Sequence, residues 1–309
     1  MACTSIASPE TVVGAPSPEE FSEFQISLLL IHGEEDTNDL HIVALDIETP
    51  IDETKGYQER IDDINAQGGI AIIAHPGYPG FPAFEHVELL KELDGYTGFE
   101  LKLVIASVLW DIVLTDRMRE GKPLVWGFTS DDSHAPPYPP SAAFIMVRAS
   151  DLTEEEITKS IREGSFYSTL GGAVIEDISL SEGIISVNLS SKMEIAFIKE
   201  RGEVIKTVEG TSAEYEVIGD EGYVRIEVRD RNSVGTLRRI AWTQPFRVIS
   251  AENIENPYDA KGNWYKGNTH CHTTESDGEL PPRAVVWCYQ TLGYDFLAIT
   301  DHNKITIVD

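Results

Sequence analysis

The feature that most constrains this chain is a change of rhythm that occurs twice. From Tyr57 to Gly164 helical and strand-like segments alternate, the pattern of βα units around a parallel sheet. At Phe166 the texture turns to short alternating strands, and after residue 263 the α/β rhythm resumes for too few residues to close a domain of its own. Ile70-Ala-Ile-Ile73 is an apolar run suited to a strand buried on both faces, preceded by a polar, helix-like stretch from Tyr57 to Gln67. Phe99 to Val104 and Leu124 to Phe128 read as similar strands. Thr153-Glu-Glu-Glu156 is a capping box, and Gly164 ends the helix expected over 153–163.

Between Ile175 and Ile249, segments such as Ile184-Ile-Ser-Val-Asn-Leu189 and Tyr223-Val-Arg-Ile-Glu-Val228 are parted by Glu-Gly and Asp-Glu-Gly turns, which predicts an antiparallel β-sandwich. Ala251 to Gly262, with its Asn, Pro, Asp and Gly residues, reads as a linker. Beyond it Asn268 to Cys271 is strand-like, Pro281-Pro282 opens a helix that Gly293 ends, and Phe296-Leu-Ala-Ile299 is another buried strand. The expected organisation is an α/β part over 1–165, a β-sandwich over 166–250, a linker over 251–263 and a second α/β part over 264–309.

Length and charge narrow the function classes. A chain of 309 residues suggests two domains, and 41% hydrophobic residues is ordinary globular composition. Lys and Arg number 24 against 52 Asp and Glu, a net charge of −28 that repels polyanions over most of the surface. Nucleic acid is therefore a disfavoured partner. Three cysteines, Cys3, Cys271 and Cys288, are an odd number in a long chain, so the expectation is a reducing, cytoplasmic setting without structural disulfides. The apolar run from Ile26 to Ile31 is too short to span a bilayer and has no signal-peptide flank, so no membrane partner is expected.

The chemistry-bearing residues fall after strand-like runs. In His270-Cys-His272 the two imidazoles lie two residues apart, a spacing that on a strand points both to one face. Thr273, Thr274 and Ser276-Asp277-Gly278 follow, and Thr300-Asp-His302-Asn comes directly after a strand. His75 in Ala74-His-Pro76, and Asp132-Ser-His134 in a Pro-rich loop, repeat the arrangement. Strand ends are where α/β barrels carry their chemistry. A pair of packing histidines is the bland alternative for any one of these motifs; it does not account for four together.

Taken as a set, His270-x-His272-Thr, Ser-Asp277-Gly, Thr-Asp-His302-Asn, Gly33-x-Glu35 with His41-Ile-Val-Ala-Leu, Ala-His75-Pro and Asp132-Ser-His134 resemble the successive motifs of the polymerase and histidinol phosphatase (PHP) family of metal-dependent phosphoesterases. The resemblance covers most of 19–165 and 264–304. The two motifs that normally open the domain lie here at the end of the chain, so the sequence resembles a circular permutation of the family. The implied fold is a distorted (β/α)7-type barrel assembled from both ends of the chain, with the β-sandwich appended.

The resemblance also implies a ligand set. His270, His272, Glu35 and Asp132 would hold a first metal; Glu35, His41 and His75 a second; Asp277, His302 and His134 a third, with Glu35 bridging the first two. Imidazole with carboxylate suits zinc, manganese or iron, two or three ions in all. The implied activity is hydrolysis of a small phosphorylated metabolite or nucleotide by a hydroxide bridging the metals, with Glu35, Asp132 and His134 in catalytic roles. Lys266 and Lys304 adjoin the motifs as candidate phosphate ligands. Glu34 competes for the role of Glu35, while His32 and His86 read as surface or packing residues. Glu100 matches a family acidic position, but Leu101-Lys102 replaces the Asn that usually follows. An exonuclease acting on short nucleic-acid ends and a non-catalytic, metal-containing binding module are the alternatives.

Overall fold

The structure, a computed structural model, describes residues 24–76, 83–102, 104–134, 143–232 and 234–308. Cys3, residues 19–23 of the family-like segment, the loop after His134 and the side chain of His86 lie outside the described residues. The strands are β1 (Leu29–Asp36), β2 (Ile42–Leu45), β3 (Ile70–Ile73), β4 (Gly98–Glu100), β5 (Trp126–Phe128), β6 (Ala143–Ala149), β7 (Phe166–Leu170), β8 (Ile175–Ser181), β9 (Ile184–Lys199), β10 (Glu203–Glu216), β11 (Tyr223–Arg231), β12 (Leu237–Thr243), β13 (Phe246–Ser250), β14 (Asn253–Glu255), β15 (Asn263–Asn268) and β16 (Phe296–Ile299). Among the described residues five α-helices join them: α1 (Tyr57–Ala66), α2 (Ala83–Glu92), α3 (Val104–Arg119), α4 (Glu154–Glu163) and α5 (Pro282–Thr291). The class is mixed α/β, dominated by strands.

The last strands are built into the first ones. β16 lies between β15 and β1 and is parallel to both, with Leu29 opposite Phe296 and His32 opposite Ile299. β15 in turn runs antiparallel to β6. The alternation therefore yields a mixed rather than a fully parallel sheet. β1 and β2 are antiparallel because only the short connection 37–41 joins them, and a crossover to a parallel strand needs a dozen residues or more. β3, β4 and β5 are mutually parallel.

Beyond β5 no backbone ladder continues among the described residues, and side chains hold the seam. Gln244 brackets Gly127, its Nε2 donating to the Gly127 carbonyl and its Oε1 accepting from the Gly127 N–H, each at 2.9 Å. Ser168 Oγ donates to the same carbonyl at 2.6 Å, and Thr129 Oγ1 donates to Phe144 O while accepting from Thr169 N. Buried backbone groups that lack a ladder are thereby paired, as burial requires.

The β-rich part, β8 to β14, is antiparallel throughout and joins the rest through the pairing of β12 with β7. β9 and β10 extend the predicted short segments into a hairpin of 16 and 14 residues. The stretch read as a linker is packed: β14 pairs with β13, and buried Tyr258 donates to Phe166 O and accepts from Gln244 N. Helix α3 docks on β11 through a buried charge cluster. Arg225 forks onto Asp111 at 2.8 and 2.6 Å, and Tyr223 adds a third hydrogen bond to that carboxylate at 2.7 Å.

Local signals set the element ends. Thr153 accepts from Glu156 N at the start of α4, and Gly164 ends it in the left-handed conformation. Pro281 and Pro282 open α5. The strand expected over 99–104 is limited to Gly98–Glu100, and α3 begins at Val104. That early end leaves Lys102 in the turn between strand and helix.

Candidate metal centre

The site lies where β3, β4, β5, β15 and β16 end, joined by the last residues of β1. Side chains alternate along β1, so Glu35 and Glu34 face opposite ways. Glu35 meets the imidazoles, whereas Glu34 is fully buried on the other side and accepts from Ile51 N. Burial lifts the Glu34 carboxyl to about 7, with Asp36 and Glu53 adding to the effect against the Ile51 hydrogen bond. His32 is exposed.

Three donor groups converge. The first joins Glu35, Asp132, His270 and His272; the second Glu35, His41 and His75; the third His134, His272, Asp277 and His302. In the first, the Nε2 atoms of His270 and His272 are 3.1 Å apart. They lie 3.2 and 3.3 Å from Glu35 Oε2, and 3.3 and 3.1 Å from Asp132 Oδ1. Ligands about 2.0–2.2 Å from one ion are separated by about 3.0 Å in an octahedron and about 3.4 Å in a tetrahedron, so these spacings are the edges of a coordination shell. Glu35 Oε1 faces His41 Nδ1 at 2.9 Å and His75 Nε2 at 3.1 Å, which makes Glu35 the member shared by two groups. In the third group His134 Nε2 is 3.4 Å from Asp277 Oδ2, and His302 Nδ1 is 3.8 Å from Asp277 Oδ1.

Electrostatics supports a cation at this place. Burial raises the Glu35 carboxyl, but the imidazoles of His270, His302 and His41 outweigh it and hold the group far below the usual range. Asp132 is likewise lowered, burial being overcome by His270, His272 and Lys102. Burial works against a charge on His270, yet Glu35, Asp132 and Glu100 lift its pKa well above normal, while burial lowers that of His272. The carboxylates thus favour positive charge at the pair, which a divalent ion held by these residues would supply. His272 Nδ1 is buried without a hydrogen-bond partner, 3.7 Å from Asp277 Oδ1, an orphaned lone pair or proton that a filled centre can use. The residues present fit divalent metal.

A second layer orients the donors. Glu100 Oε1 accepts from His270 Nδ1 at 2.8 Å, so that Nε2 of His270 points into the centre as a lone pair. The same carboxylate accepts from Ser130 Oγ and, through Oε2, from His75 N. Burial would raise the Glu100 pKa, but His270 and Lys102 bring it down to about 2. Asp301 accepts from Thr273 N, Thr273 Oγ1 and Ser276 Oγ, each at 2.7 Å, fixing the loop that carries Asp277 beside His302. His75 and Asp132 hold positive φ values of 31° and 49°, backbone strain concentrated on two of the donors.

All nine residues expected as metal ligands are brought together. The two lysines proposed from the sequence are engaged by other partners. Lys266 Nζ donates to Leu292 O and sits over the Tyr294 ring at 3.9 Å, and Lys304 pairs with Glu275 at the surface. Sequence reasoning left Glu100 open and overlooked Lys102 and Asp301. Asp301 lies within Thr-Asp-His302, so its motif was a usable signal; Lys102 had none beyond its departure from the family pattern.

No family model matches the chain, and no curated protein matches it in sequence. Among solved structures it is similar to a two-domain protein containing a predicted PHP-like metal-dependent phosphoesterase from Bacteroides vulgatus ATCC 8482. The identity is 14% and the TM-score 0.39, over 77% of this chain and 74% of that one. Among the described residues no helix is long and apolar enough to cross a membrane.

Proposed function

We propose that this chain is a metal-dependent phosphoesterase of the PHP type, a phosphoric ester hydrolase acting on a small phosphorylated metabolite or nucleotide. The observation that carries the reading is the convergence of three donor groups, two of them sharing Glu35. Two or three ions of zinc, manganese or iron would be held by His270, His272, Glu35, Asp132, His41, His75, Asp277, His302 and His134. Divalent ions in such a site lower the pKa of water and neutralise charge on phosphoryl oxygens. Glu35 presents one oxygen to each of two donor groups. Asp132 turns Oδ1 toward His270 and His272, and His134, anchored through Nδ1 to the Asp132 carbonyl at 3.0 Å, turns Nε2 toward Asp277.

The same reading takes the strands on either side of the centre as a distorted PHP barrel completed by residues 264–309, permuted to the chain's end, with an appended β-sandwich. Pairing of β16 between β15 and β1 supports it. The net charge of −28 favours a small ligand, because each further phosphate of an oligonucleotide adds a charge that the acidic surface repels.

Metal analysis of the purified protein, followed by a phosphoester panel with manganese or zinc, tests the proposal. Small phosphoesters are expected to exceed single-stranded DNA and RNA in kcat/KM at one ionic strength, and His270→Ala is expected to abolish both metal and turnover. Activity and metal content unchanged in His270→Ala would refute the centre, and a preference for oligonucleotides would make the enzyme an exonuclease.

A further inference from the structure

The lysine that the structure brings to the donor carboxylates is Lys102. It lies just past β4, with its side chain 16% exposed, and its ammonium pairs with Asp132 Oδ2 and approaches Glu100 Oε2 at 3.8 Å. Both carboxylates are divided between two tasks. Asp132 turns Oδ1 to the imidazoles and Oδ2 to Lys102; Glu100 turns Oε1 to His270 and Oε2 to His75 N and Lys102. An ammonium carries three donors, and the hydrogen bond to Asp132 Oδ2 takes one of them.

We propose that Lys102 binds the phosphoryl group of the substrate, donating a hydrogen bond to a non-bridging oxygen beside the first donor group. This rests on the phosphoesterase reading and assigns to Lys102 the role expected from the sequence for Lys266 and Lys304, whose ammonium groups meet Leu292 O and Glu275. The chemistry recognised is a terminal phosphate with at least two anionic oxygens, the group that matches a point charge at the edge of a metal centre. No bond to Lys102 forms or breaks.

The test compares wild type, Lys102→Met and Lys102→Arg, all purified with manganese, using inorganic phosphate as the probe. Binding is measured by calorimetry and by competitive inhibition, and metal content is measured alongside. Lys102→Met is expected to weaken phosphate binding about ten- to a hundredfold, the worth of a hydrogen bond to a charged group, and to raise KM more than it lowers kcat. Metal content should not change, and Lys102→Arg should recover most of the affinity. Equal phosphate affinity in metal-loaded wild type and Lys102→Met overturns the proposal alone. Metal lost from Lys102→Met, with phosphate affinity per loaded site unchanged, also overturns it, since Lys102 would then only hold Asp132. If Lys102→Met does not fold, Lys102→Gln is subject to the same criteria. Wild type that takes up no metal removes the phosphoesterase reading itself.

Discussion

Glu100 accepts the Nδ1 proton of His270 at 2.8 Å across 170 positions of sequence, both side chains lying out of contact with solvent. The bond fixes which imidazole nitrogen faces the donor group and ties β4 to the turn after β15. A carboxylate behind a metal-binding histidine typically contributes 10- to 100-fold in metal affinity. Glu100→Gln should therefore weaken metal binding by about that factor in competition with a chelator while leaving far-ultraviolet dichroism intact. Unchanged affinity would show that the surrounding packing orients His270 without Glu100.

Asp301 serves the third donor group in a comparable way, through Thr273 and Ser276 rather than through a ligand itself. Asp301→Asn turns an acceptor-only carboxylate into an amide with one acceptor oxygen, which leaves a buried donor of this set unpaired. The loop bearing Asp277 should loosen. Metal content should fall by about one equivalent relative to wild type, as in Asp277→Ala, while the ions at Glu35 remain. Full metal content in Asp301→Asn would count against the assigned role.

Asp111 and Arg225 bind α3 to β11 in a fully buried pair, with Arg225 also reaching Glu227 at 3.2 Å. Removing one partner of such a pair strands the other's charge, which costs about 3–5 kcal/mol. Asp111→Ala is expected to lose stability of that order in urea unfolding. Replacing Asp111 and Arg225 together by apolar residues should cost less than Asp111→Ala alone.

Glu221 offers a pH dependence remote from the metal centre. Its carboxylate accepts from Ile218 N, Gly219 N and Tyr215 OH, and although burial opposes it these bonds hold its pKa below the usual value. A group whose folded pKa lies below its unfolded value, about 4.3 for Glu, stabilises the fold above that pH and ceases to do so as pH falls through the folded value. The melting temperature of Glu221→Gln should therefore lie below wild type near neutrality, and the gap should narrow as pH drops below about 4. A gap that is independent of pH would mean that shape rather than charge matters at this turn.

Much of the site was legible in the sequence because its donors occur in short motifs that end strands. Spacing in His270-Cys-His272 is local, whereas Glu34 and Glu35 were told apart only once the fold turned Glu35 to the imidazoles and Glu34 to Ile51 N. Boundaries written in local chemistry were equally readable: Thr153 and Gly164 at α4, Pro281 and Pro282 at α5. Residues whose meaning depends on a distant partner were not. Lys102 occupies the place of an expected Asn, and only the fold sets its ammonium against Asp132; Tyr258 sits in a Pro- and Asn-rich stretch that resembles a linker until its hydroxyl meets Phe166 and Gln244.

The sequence by itself determined the mixed α/β class and the antiparallel β-rich stretch, since strand period and helix caps are written within a few residues of one another, and its resemblance to the family's motifs implied the nine candidate metal donors. Tertiary structure decided what those residues do together. It placed β16 between β15 and β1, replaced a missing ladder at β5 with Gln244 and Ser168, turned Lys266 toward Leu292 and Tyr294, and brought Lys102 to the centre. The reason is physical: hydrogen-bond pairing and charge compensation act across space, and a buried carboxylate is satisfied by whichever donor the packing delivers.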